Sequence, residues 1–162
     1  MVKRTLSPMR ALLAACVAAL MVLVVQSPAH AALPDGHHLY VQFELRGADW
    51  SESYDAYLTI TNAVTNDVGW GDFNSDPLGG IPGDAIRACD RHADGWGVEM
   101  QMDINPGASF QVDRIATTQG HNSPYCSGWQ SGNIAENALV ALRVCMVKGT
   151  SKYCSAIQRA RA

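Results

Sequence analysis

The chain has 162 residues, 48% of them hydrophobic and 7% aromatic, with 12 Lys+Arg against 15 Asp+Glu and a formal net charge of −3. That is the size of one domain with a real core. No basic cluster stands out, which argues against nucleic acid and anionic membrane surfaces as partners.

Residues 1–31 read as a secretory signal peptide. Lys3, Arg4 and Arg10 give a basic start, Ala11 to Val25 an uninterrupted apolar run, and Ala29-His30-Ala31 a small-residue cleavage site before Ala32. The run is shorter than the ~20 residues a membrane-spanning helix needs. Leu13-Ala14-Ala15-Cys16 also has the look of a lipid-acceptor box, but the chain stays apolar after Cys16, where a tether should turn polar. Cleavage leaves residues 32–162 as a single domain with 9 basic and 15 acidic residues, exported and with no membrane attachment.

Strand-type alternation then dominates. Leu39, Val41, Phe43 and Leu45 share one face, as do Trp96, Val98, Met100, Met102 and Ile104. Shorter runs at 56–61, 85–91, 110–115 and 153–158 are further candidates, separated by clusters of Gly, Pro, Asn and Asp. Ala93-Asp94-Gly95 predicts a hairpin turn that sets Ala88 opposite Met100 and Ile86 opposite Met102. Residues 138–147 fit a helical stripe as well, yet Val140, Val144 and Val147 favour a central strand with Arg143 and Cys145 on its more polar face. The expectation is an all-β fold, an antiparallel β-sandwich of the immunoglobulin-like class. Residues 62–83 and 117–133 are left as two long loops, a length at which loops are often functional.

Cys16 leaves with the leader, and Cys89, Cys126, Cys145 and Cys154 imply two disulfides in an exported domain. Cys89 and Cys145 both fall on outward faces, which favours Cys89–Cys145 with Cys126–Cys154. The chief rival pairs Cys145 with Cys154 across their own hairpin. No Cys-x-x-Cys pair supports a zinc site.

Few residues carry recognisable chemistry. Asp72-x-Asn74-x-Asp76 opens like a calcium loop but has Pro77 at the sixth position and Gly83 at the twelfth, so a polar turn is the better reading. In Gly128-Trp129-Gln130-Ser131-Gly132 the serine stands one place late for a nucleophile elbow. Glu44 and Glu99 read as solvated outer-face charges, and His37, His38, His92 and His121 lack ligand spacing. The sequence therefore predicts no metal, no cofactor and no catalysis.

What survives is aromatic: Trp70 and Phe73 in the first loop, His121, Tyr125 and Trp129 in the second. Such residues anchor protein interfaces and also stack on sugars. A non-catalytic binding module is expected, its partner an extracellular protein (protease inhibition included) or, alternatively, a polysaccharide. The first needs the 117–133 loop to protrude; the second needs exposed, coplanar rings.

Ala88-Cys89-Asp90-Arg91, Asp94-Gly95-Trp96-Gly97, Ser123-Pro124-Tyr125-Cys126-Ser127 and Tyr153-Cys154-Ser155 together resemble the small four-cysteine secreted β-domain proteins of soil actinobacteria. The resemblance spans most of residues 80–156. It implies an extracellular location and a compact β domain, and it brings no assigned activity.

Overall fold

A computed structural model describes the strands Tyr40–Arg46 and Asp55–Thr61 and residues 68–162. The leader with its cleavage site, Cys16, and His37-His38 lie outside the described residues. Ten strands follow one another with no helix among the described residues: β1 (Tyr40–Arg46), β2 (Asp55–Thr61), β3 (Gly69–Asn74), β4 (Ala85–Asp90), β5 (Gly97–Asp103), β6 (Arg114–Thr117), β7 (Tyr125–Cys126), β8 (Leu139–Lys148), β9 (Ser151–Cys154) and β10 (Gln158–Arg161). They form two antiparallel sheets. The first has the order β1-β2-β3-β4-β7; the second runs β10-β8-β5-β6, with β9 also on β8.

Alternation decides which residues the sheets share. Phe73, Ile86 and Ala88 of the first sheet and Val98, Met100, Met102, Val140, Leu142, Val144 and Met146 of the second enclose one core. Residues 138–147 do form a strand, and it is central: β8 carries β5 on one side and β9 and β10 on the other.

That far side of β8 holds one interrupted strand. Cys145 faces Cys154 and Leu142 faces Gln158, so three residues (155–157) oppose two. The extra residue is a bulge, which resets the alternation. It lets Tyr153 pack against the core before it, and Ala160 and Ala162 enter the core after it. Ser155 Oγ accepts from Val144 N at 3.1 Å across the break.

The predicted hairpin does not form. β4 pairs with β3 and β7, β5 with β6 and β8, and residues 91–96 carry the chain from one sheet to the other. Ala88 and Met100 still share the core, but across the sheets. The reason is complementary size. The inner face of β3 carries Gly69 and Gly71, and the space a Cβ would fill at Gly71 is taken by the Met100 side chain. A large residue of one sheet entering a gap in the other is how close-packed interiors fill. Gly95 does take the expected positive φ, 79°, in the crossing segment.

The favoured disulfide pairing is corrected by the same topology. The bonds are Cys89–Cys126 and Cys145–Cys154, the second being the rival pairing. Cys89 and Cys145 do lie on outer faces, but of opposite sheets, so their side chains point apart. Each instead meets the cysteine directly opposite on a neighbouring strand. Glu99 needs correction too. It is buried beneath β9, where Lys152 Nζ donates to its Oε1 at 2.5 Å and Gln101 donates to the same oxygen. Gln101 Oε1 in turn accepts from Arg143 Nε at 2.7 Å.

Candidate functional site

Neither long loop is a plain loop. Residues 69–74 are β3, so Trp70 and Phe73 are strand residues on opposite faces. Phe73 is a core residue, 1% exposed. Trp70 stands half-buried on the outer face of the first sheet.

Residues 125–130 of the second long loop lie flat along the edge of β4. β7 pairs with Cys89 and Asp90, Ser127 N donates to Ala88 O at 2.8 Å, and Gln130 exchanges two backbone hydrogen bonds with Ile86. This pairing lays Trp129 beside Arg87.

Five side chains then form a continuous ladder across that face. The Arg87 guanidinium stacks 4.5 Å from the Trp129 ring centre. Its Nε and Nη2 donate to Asp72 Oδ2 at 3.0 and 2.6 Å. Trp70 Nε1 donates to the same oxygen at 3.1 Å. Arg91 stacks over Trp70, again 4.5 Å from the ring centre. Register explains the order: Asp72 lies directly opposite Arg87, and Trp70 opposite Cys89, two residues before Arg91. Guanidinium–indole contacts of this kind contribute roughly 0.5–1 kcal/mol each at exposed sites. The Cys89–Cys126 bond joins β4 to β7 and fixes the strand that brings Trp129 in.

The two remaining candidates sit apart from the ladder, at the end of the domain. The His121 and Tyr125 rings stack 4.0 Å apart, nearly parallel at 13°. Tyr125 alternates with Cys126 and so turns away from the outer face. Next to this pair, Ser123 Oγ donates to Asp90 Oδ2, and His92 N donates to Asp90 Oδ1 at 3.0 Å. The serine thus gives its hydrogen bond to a carboxylate and not to an imidazole.

Burial pushes the Asp90 carboxyl above its ordinary 3.8, with the Asp94 charge adding to the rise, against the lowering by its Ser123 and His92 donors. The native state therefore holds this proton more tightly than the unfolded chain does. Asp90 contributes stability below the ordinary carboxylate range, and that contribution is lost as pH rises through the raised value. Asp90→Asn should flatten the stability profile across that window, read from urea midpoints at stepped pH. An unchanged profile would refute the assignment.

Asp72 and Asn74 of the acidic triplet belong to β3, and the chain turns only after them. Asp72 is engaged by Arg87, and Asn74 Nδ2 donates to the carbonyls of Asp76 and Pro82 at 2.5 and 2.8 Å.

Sequence reasoning missed Arg87, Arg91 and Asp72 as partners of the tryptophans. The signal was the apolar–polar alternation of Ala85-Ile86-Arg87-Ala88-Cys89, which sets Arg87 and Cys89 on one face. The chain matches no protein-family model, no curated protein and no solved structure. No helix among the described residues is long and apolar enough to cross a membrane.

Proposed function

We propose that this is an exported, disulfide-braced, non-catalytic interaction domain that docks a protein partner on the outer face of its first sheet. The Trp129–Arg87–Asp72–Trp70–Arg91 ladder carries the reading. Tryptophan and arginine are the residues most enriched among interface anchors. Here they are held in place before any partner arrives, which reduces the ordering cost of binding.

The leader and two disulfides support export, and the two sheets around one core support a sandwich of the immunoglobulin-like class. The form of docking differs from an inserted inhibitor loop, because residues 125–130 are hydrogen-bonded flat against β4. Each indole also has a guanidinium stacked on it, which disfavours a bare ring platform for sugars.

Immobilised protein should retain a discrete partner from culture supernatant, identified by mass spectrometry. Arg87→Ala should weaken that complex by about 2 kcal/mol, as loss of a central anchor does, while leaving the fold intact. Retention on insoluble cell-wall polysaccharide, abolished by the same substitution, would overturn the protein reading in favour of the sugar one.

A further inference from the structure

The end of the domain beside the His121–Tyr125 stack holds a cleft of about 600 Å³, within the usual range for small-molecule sites. Three segments form it: the crossing segment at 93–97, the tip at 118–123 and the β8–β9 turn at 147–149. We propose that this cleft binds a small sugar acid, a carboxylated monosaccharide or the end of a chain of them.

The lining chemistry points that way. Among the described residues, no carboxylate lines the cleft. The nearest, Asp94 and Asp90, are engaged in accepting hydrogen bonds from Trp96 N and from Ser123 and His92. Lys148 stands at the wall with its Nζ 5.4 Å from the Trp96 ring centre, and among the described residues it makes no ion pair. The other exposed groups, His121, Asn122 and Gln119, can all donate hydrogen bonds. One cation and several hydrogen-bond donors match a ligand with a carboxylate and hydroxyls, with Trp96 buried beneath Lys148 as part of the core.

The cleft is also built and held. Gln119 Nε2 donates to Gly149 O at 3.0 Å, tying the tip to the β8–β9 turn. Thr118 N donates to Val98 O at 2.9 Å, and Thr118 Oγ1 accepts from Val98 N at 2.8 Å, which anchors the tip to β5. Gly97 lies against Thr118 and Gln119 so closely that a Cβ there would be 3.1 Å from both. Gly120 and Gly149 take positive φ, 91° and 58°, and keep the two rims open of side chains. The site is separate from the ladder, so each reading stands or falls without the other.

Titration of the purified, disulfide-intact protein with D-glucuronate and with D-glucose, followed by calorimetry, tests the proposal. Glucuronate should bind and glucose should bind at least about tenfold more weakly, the loss of one charge-assisted hydrogen bond. Lys148→Ala should weaken glucuronate by a similar factor, with Lys148→Arg restoring part of it. Ala93→Trp, on the exposed rim, should block both sugars. Arg87→Ala should leave glucuronate binding unchanged, since it belongs to the sheet face. Absence of glucuronate binding, equal binding of glucose, or binding indifferent to Lys148→Ala would each overturn the assignment.

Discussion

Replacing Cys89 and Cys126 together by alanine is expected to destabilise the domain by about 4 kcal/mol, and replacing Cys145 and Cys154 by about 2.5. The difference comes from the unfolded chain. The first bond closes a separation of 37 residues and the second only 9, so the first removes more loop-closure entropy from the denatured ensemble. Their native surroundings reinforce the ranking. β8–β9 is a hairpin joined by a two-residue turn and pairs in register through Lys148 and Ser151 without its disulfide. β7 is two residues long and has no hairpin partner to hold it on β4. Loss of Cys89–Cys126 should therefore also loosen Trp129 from Arg87. Urea unfolding of both double variants, with Trp fluorescence as the probe, checks the order. Equal costs, or a larger cost for the shorter loop, would show that the covalent braces act through native contacts and not through chain entropy.

Legibility of this fold from sequence follows burial. β5 and β8 were readable because one face of each meets an apolar core, and Val98, Met100 and Met102 or Val140, Leu142, Val144 and Met146 alternate with other residues. β3 was unreadable because Gly69 and Gly71 occupy its inward positions, and glycine next to Asp and Asn reads as turn. Gly71 is explained by Met100 of the opposing sheet, and Gly69 by the Cys89 carbonyl of β4 together with Val98, and neither neighbour is local in sequence.

The cysteines show the same division. Their faces were legible from alternation, while their partners depended on whether β4 and β5 lie beside or above each other. Glu99 looked solvated because nothing local announces that Lys152 covers it. At the site, the tryptophans were visible as residues, but their guanidinium neighbours required the β3–β4 register.

The largest single-residue effect is expected at Phe73, where fold and function were hardest to tell apart from sequence. Phe73→Ala should cost about 3–5 kcal/mol, the usual range for emptying an aromatic site in a core. Phe73 is among the largest fully buried side chains and lies opposite Ile86 on β4, inside the cluster the two sheets share. The neighbours facing it belong to two hydrogen-bonded sheets and cannot collapse freely into the vacated volume. Against a typical domain stability of roughly 5–15 kcal/mol, that loss is a large fraction of the whole. Phe73→Leu, which keeps most of the volume, should cost less than about 1.5 kcal/mol.

Trp70, three residues earlier and on the other face, sets the contrast. It is half-exposed, its indole donates to the Asp72 carboxylate, and the Arg91 guanidinium stacks on its face. Trp70→Ala should therefore impair partner retention while costing less stability than Phe73→Ala. Thermal and urea unfolding of the three variants, alongside their retention of the partner, separates the two roles. A Phe73→Ala protein that keeps its stability and loses its partner would place Phe73 on the binding face and refute the two-sided reading of β3.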